Sequence, residues 1–358
     1  MGDDLPPARR LAYLDGLRAI AALMVFLIHS GAPALRAAGP IGNAIVDHGR
    51  YGVTVFFVVS AFSLCVSLSP AFAGEQVSWT AYFVRRFFRI APLYYVVLAY
   101  VVVSGSAPVA RDSYMETMLF HVTFANVVAP QFANDVISVE WSIAVEWGFY
   151  LLLPFLVGVC RHRYGVAALS IVAILLVRWH DDIAAALGKT FFENRSFSLL
   201  SHFYAFVVGM VVFLAVTNKL VGVGARRVLT GVSVALVIAM LVCGDTTWSG
   251  PMVAIVTCGA IVNAAADGMA RRVLSWQPLV WIGLVSYSVY LLHIFVIGAF
   301  APSGVRSDLG MICALAVTLA AASLTYFAIE RPFRAVGRRI AHAVDRTPVV
   351  VAREPQLP

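Results

Sequence analysis

The chain reads as an all-α integral membrane protein, a polytopic bundle of about ten transmembrane helices, and three observations carry that reading. Of its 358 residues, 61% are hydrophobic and only 13% charged, against roughly a quarter charged in a soluble domain. Apolar runs recur from residue 11 to residue 329 with short polar gaps, on the scale needed to cross a hydrocarbon core of roughly 30 Å. The basic residues fall in small clusters between those runs, as expected where Lys and Arg fix orientation from the cytoplasmic side.

The predicted spans are 11–30, 51–69, 90–104, 141–159, 166–179, 199–216, 228–243, 252–266, 279–300 and 309–329. The first follows Arg9-Arg10 and carries Asp15 and Arg18 with no small-residue cleavage site, so it reads as a retained span and not a signal peptide. The third follows the Arg85-Arg86-Phe87-Phe88-Arg89 cluster, and the fifth is short for a bilayer. Residues 118–130 are apolar enough for a partial or re-entrant helix. With the N-terminus inside, nineteen of the 26 basic residues fall on the inner side, which places both termini in the cytoplasm. The organisation expected is a cytoplasmic segment over 1–10, one membrane domain over 11–334, and a disordered cytoplasmic tail over 335–358. No internal repeat of the kind built into many transporters is visible.

Several function classes fall away at this level. The net charge of +7 is spread over loops and forms no basic domain or arm, so nucleic acid is not an expected partner. Cys65, Cys160, Cys243, Cys258 and Cys313 lie in apolar segments without CxxC or CxxH spacing, which suggests neither a metal site nor a disulfide framework. No bound cofactor is expected. The oligomeric state is not encoded in any recognisable pattern.

Ionisable groups inside spans are costly and therefore informative. Arg18 and His29 share the first span eleven residues apart, which puts them on one face about 16 Å apart along the axis. Either they form part of a site, or Arg18 snorkels to headgroups and His29 sits at the outer interface. Arg86 and Arg89, at i and i+3, would present two guanidinium forks to phosphate oxygens, or anchor the topology. Ser142 and Glu146 lie one turn apart in Glu140-Trp141-Ser142-Ile143-Ala144-Val145-Glu146, giving either a buried carboxylate with a hydroxyl neighbour, or a structural Glu146 paired with an arginine and an interfacial Glu140 in water. Ser286, Tyr290 and His293 line one helical face, as a catalytic, acceptor-binding or purely structural ladder. Glu330-Arg331-Pro332 closes the last span, with Pro332 expected to stop the helix.

In order and spacing these elements resemble acyltransferase family 3. The resemblance runs from Tyr13 to about Phe333 and rests on the set: Asp15-Gly16-Leu17-Arg18 with His29, the run from Gly52 to Ser60, Arg86-Phe87-Phe88-Arg89 with Pro92, Trp141-Ser142 with Glu146 and Phe149-Tyr150, Ser286-Tyr287-Ser288 with His293, and Glu330-Arg331-Pro332. Thr54 stands where an acidic residue is often found, and Ala61 where a glycine is usual. The resemblance implies a ten-helix membrane domain that transfers acetyl or other short acyl groups from acyl-CoA to hydroxyls of lipopolysaccharide, exopolysaccharide or glycosylated small molecules. It makes His29 the essential histidine. Some relatives carry a fused extracytoplasmic hydrolase-like domain, for which no room is expected after Ile329.

The expected chemistry is attack of an acceptor hydroxyl on a thioester carbonyl, with His29 as general base and Glu146 as its orienting or proton-sharing partner. An acyl-histidine intermediate is the second variant. Arg18, Arg86 and Arg89 are the expected donor-binding residues, and Ser142, Tyr290 and His293 the acceptor-binding or structural ones. The expected partners are acyl-CoA, a glycan or lipid-linked glycan and the bilayer, and the expected location is a bacterial inner membrane. The rival reading is a polytopic transporter or flippase using the same buried ionisable residues.

Overall fold

The computed structural model describes residues 11–105, 114–129, 132, 133, 135–187, 197–300 and 307–345. Among the described residues every regular element is helical. The main helices are α1 (Ala12–Ser30), α2 (Gly52–Ser67), α3 (Trp79–Val103), α4 (Tyr114–Val122), α5 (Trp141–Cys160), α6 (Gly165–Leu187), α7 (Leu199–Thr217), α8 (Val223–Cys243), α9 (Ser249–Ala265), α10 (Gln277–Leu284), α11 (Ser286–Phe300), α12 (Asp308–Thr325) and α13 (Arg331–Val344). Among the described residues, seven stretches are long and apolar enough to cross a membrane, and the bent pair α10 and α11 makes an eighth. Two shorter apolar helices, Gly165–His180 and Ser249–Ala265, stand where the fifth and eighth spans are predicted.

The distribution of apolar side chains requires lipid as solvent. Only 6% of the apolar window of α8 is buried, and Val228, Val234, Ile238 and Val242 all face outward. In water such a surface would be an aggregation site; in hydrocarbon it is the resting state of a helix held by its neighbours' shape and not by exclusion of water. This is a multi-pass membrane protein.

Four predicted features differ in the structure. The third span begins at Trp79, not at 90, because the Ser78 hydroxyl accepts the Ala81 N–H at 3.2 Å and caps a helix that already contains the arginine cluster. The ninth span is broken at Val285, with a 73° bend between α10 and α11. Pro332 does not end the last helix. A π-helical turn over Tyr326–Glu330 precedes it, and widening the helix there relieves the clash between a proline ring and the carbonyl one turn back. The helix therefore continues as α13, so residues 335–344 of the predicted disordered tail are helical and pack on α3, Gly337 lying against Phe88. Residues 346–358 and the N-terminal segment 1–10 lie outside the described residues. The partial helix predicted over 118–130 is α4 followed by a 3-10 turn over Ala125–Val127.

The chain divides into two compact units. In the first, Met1–Ser67 with Ala205–Leu324, α1 is the central element and packs against α2, α10 and α11, while α8 and α9 pair with each other. The approach is backbone to backbone: a Cβ at Gly283 would lie 1.9 Å from the Asp15 carbonyl oxygen, and one at Gly16 would lie 1.9 Å from that of Leu274. In the second unit, Leu68–Tyr204 with Thr325–Ala352, α3 pairs with α13 and with α5.

Candidate active site

The first unit brings together the two histidines that the sequence leaves on separate motifs. His29 ends α1 and is exposed; His293 lies on α11 and is 1% exposed. The Nε2 of His293 is 3.1 Å from the Nδ1 of His29, with ring centroids 5.0 Å apart and planes tilted by 50°. The 73° bend ahead of α11 is what lets a segment that first runs along the start of α1 deliver His293 to its far end.

Backbone carbonyls fix where the protons of this pair reside. A carbonyl oxygen only accepts, so a ring nitrogen facing one must carry hydrogen. The Nδ1 of His293 faces the carbonyls of Tyr290 at 2.7 Å and Val289 at 3.2 Å, so it is the protonated nitrogen and its Nε2 is a lone pair. The Nδ1 of His29 faces the Val25 carbonyl at 2.8 Å and that lone pair, so it donates to both. The remaining nitrogen, His29 Nε2, is left as an unprotonated base on an exposed ring. Tyr290 is buried beside the pair, its ring 6.0 Å from His293 and edge-on to Phe56 at 5.9 Å.

Arg18 lies on the same helix as His29 with its guanidinium engaged inside the unit. Nη1 donates to Asp15 at 3.0 Å and Nη2 to the Ser63 hydroxyl at 2.7 Å, and Ser63 in turn donates to the Val59 carbonyl at 2.6 Å. The side chain is 15% exposed. Asp15 is therefore the counter-charge that makes an arginine tolerable in this span.

The second unit gathers the other charged candidates, Arg86, Arg89 and Glu146. On α3, Trp79, Tyr82, Arg86 and Arg89 follow at spacings of three, four and three and share a face. Arg86 lies in the fields of Tyr82, Tyr150 and Arg89, and its Nε is buried with no hydrogen-bond partner among the described residues. Arg334 from α13 joins them, close enough to feel Arg86, Arg89, Glu330 and Tyr326. On α5, Glu146 accepts from the Tyr150 hydroxyl at 2.6 Å, and Tyr150 sits within the fields of Glu146, Arg86 and Arg89. Ser142, one turn before Glu146 on α5, donates its hydroxyl to the Val139 carbonyl at 3.3 Å. Glu146 and His29 belong to different units, and the histidine's nitrogen partner within its own unit is His293.

Glu140 is not in water. Its side chain is fully buried and accepts the N–H groups of Val136 at 2.9 Å and Ile137 at 3.1 Å. His121, 3.9 Å from that carboxylate, bridges the Tyr94 hydroxyl at 3.0 Å and the Phe132 carbonyl at 2.9 Å. A carboxylate four residues beyond the amide it binds is a loop-closing device, and the sequence carries no pattern that separates it from an interfacial glutamate.

The family model described as an acyltransferase domain, acyltransferase family 3, matches residues 11–327. The chain belongs to that family. Residues 11–327 are accordingly an acyltransferase domain built from membrane-length helices. Among the relatives of this acyltransferase family 3 chain, YrhL of Bacillus subtilis, provisionally named a peptidoglycan O-acetyltransferase, is 27% identical over 92% of the chain and 56% of its own length. The acyltransferase MdmB of Streptomyces mycarofaciens is 27% identical over 95% of the chain and 96% of its own length. The O-acetyltransferase OatA of Staphylococcus aureus is 25% identical over 92% of the chain and 58% of its own length. The chain thus spans little more than half of YrhL and OatA. No solved structure matches.

Proposed function

We propose that the chain is a membrane-bound O-acetyltransferase that moves an acetyl or other short acyl group from cytoplasmic acyl-CoA to a hydroxyl of a glycan. The observation that carries this reading is the histidine pair, in which two sets of backbone carbonyls and one imidazole lone pair hold the proton of His29 on Nδ1. Its Nε2 takes the acceptor proton as the hydroxyl oxygen attacks the thioester carbonyl. When the tetrahedral intermediate collapses, the C–S bond breaks and the departing thiolate takes that proton from His29. The transient imidazolium is held by the Nδ1–H bridge to Val25 and His293. General-base assistance of this kind contributes on the order of 100-fold to 10,000-fold in rate.

In this reading Arg86 and Arg89 hold the donor's phosphates, with Arg334 adding charge, and Glu146 serves that donor site by orienting Tyr150. Arg18, held in place by Asp15 and Ser63, is the third donor-binding residue of this reading. His293 and Tyr290 are positioning residues, and Ser142 steadies the start of α5. Peptidoglycan is the first acceptor to test, on the strength of the name of YrhL; lipopolysaccharide and exopolysaccharide offer the same hydroxyl chemistry. The location proposed is the bacterial inner membrane, with both termini cytoplasmic.

The test is transfer of label from acetyl-labelled acetyl-CoA into glycan by membrane vesicles that contain or lack the chain. Base-labile label in the glycan, dependent on the chain, is the expected result. Vesicles that move a solute without acylating any glycan would replace this reading with the transporter.

A further inference from the structure

We propose that a cavity of about 370 Å³ in the second unit holds the nucleoside end of the thioester donor. This inference rests on the acyl-CoA reading above and adds to it a second subsite beyond the arginines. The cavity is lined by Glu75, Gln76 and Trp79, by Pro154 and Gly158 of α5, and by Arg161 just past its end.

Register places it next to the phosphate-binding face. Trp79 and Arg86 are seven residues apart on α3, so they point the same way about 10 Å apart. The antiparallel α5 follows the same sequence of levels in reverse. The Tyr82 hydroxyl donates to the Tyr150 carbonyl at 3.3 Å, the Trp79 and Tyr82 rings are 5.7 Å apart, and Arg86 lies in the field of Tyr150. One turn further along α5 begins the cavity wall at Pro154, and Arg161 closes it. A donor with its diphosphate at Arg86 and Arg89 would therefore extend its nucleoside towards Trp79.

The wall chemistry fits a nucleobase carrying a phosphorylated ribose. An indole face stacks on any base, and Glu75 and Gln76 supply the acceptors and donors that an amino-substituted purine edge needs. Arg161 is anchored through Nε and Nη2 to the Ala71 carbonyl, which sets the guanidinium in place as a fork for a further phosphate. The volume falls within the range of small-ligand sites, roughly 300–1,000 Å³. A lipid tail would gain little from a wall bearing a carboxylate, an amide and a guanidinium.

The experiment compares two donors on the full chain reconstituted in vesicles: acetyl-CoA, and S-acetyl-4′-phosphopantetheine, which keeps the thioester arm and lacks the nucleoside. A Cβ at Gly158 meets no atom within 4 Å and Gly158 lines the cavity, so Gly158→Leu puts its added carbons into that space and removes a helix-weakening glycine. The expected result is a KM for acetyl-CoA raised tenfold or more by Gly158→Leu and by Trp79→Ala, with the KM of the truncated donor changed less than twofold. Equal changes for both donors, or no change for either, overturn the assignment. If the wild-type chain accepts acetyl from neither thioester while a glycan is still acylated in cells, the acyl-CoA reading itself falls, and this subsite with it.

Discussion

An imidazole offers one donor and one acceptor when neutral, so fixing the proton on one nitrogen decides what the other can do. In the His29–His293 pair that decision is made by main-chain carbonyls of the two helices, and the role of His293 is to accept from His29 Nδ1. His293→Ala removes that acceptor and should lower kcat about tenfold to a hundredfold with little change in donor KM. His293→Gln, whose amide oxygen reaches the position of Nε2, should recover most of the loss. Equal damage from both variants would make the residue a packing element instead. Glu140 poses a different problem at the same scale. Its removal in Glu140→Ala orphans two buried N–H groups, each at a cost of about 1–3 kcal/mol, and should lower the melting temperature of the solubilised protein without a selective effect on donor or acceptor KM. His29, Arg18 and the paired arginines were legible because charged groups stand out in apolar runs. The partnership of His29 with His293 was not, because it links residues 264 positions apart and depends on a bend that hydropathy does not encode.

At the scale of elements, helix positions follow from apolar run length, but helix ends and breaks follow from local contacts. The start of α3 at Trp79 was hidden because Arg85, Arg86 and Arg89 interrupt the apolar signal while leaving helix propensity intact. The break at Val285 was hidden because no proline or polar gap marks it in the sequence; just ahead of it, Gly283 approaches the Asp15 backbone of α1. Gly283→Ala would force a methyl group onto a backbone oxygen that has no side-chain freedom to yield, costing about 1–3 kcal/mol or more. Loss of both folded yield and activity is expected, and a stable, fully active Gly283→Ala protein would show that the two helices are free to separate. Arg86→Ala and Arg89→Ala act on another element and should behave differently. Each removes a charge-assisted contact of roughly 1.5–3 kcal/mol and should raise donor KM about tenfold or more at normal protein level, with Lys a partial substitute because it keeps the charge and loses the fork. Unchanged donor KM would leave these arginines as topological anchors.

For the whole molecule, the alternation of basic loops makes a statement about sidedness that hydropathy cannot make alone. Reporter tags at residue 2 and after Pro358 should both read cytoplasmic, and a tag within residues 111–135 should read external; opposite faces for the two termini would require an odd number of spans. The histidine pair lies in one unit and the arginine cluster in the other, and the proposed reaction depends first on the histidines. The most direct measurement is glycan acylation by His29→Ala in vesicles at matched protein level, with acetyl-CoA as donor. A loss of about 100-fold or more with membrane insertion intact is the expected result, since an exposed imidazole at a helix end contributes little packing. Acylation at the wild-type rate would contradict it and remove His29 from the reaction.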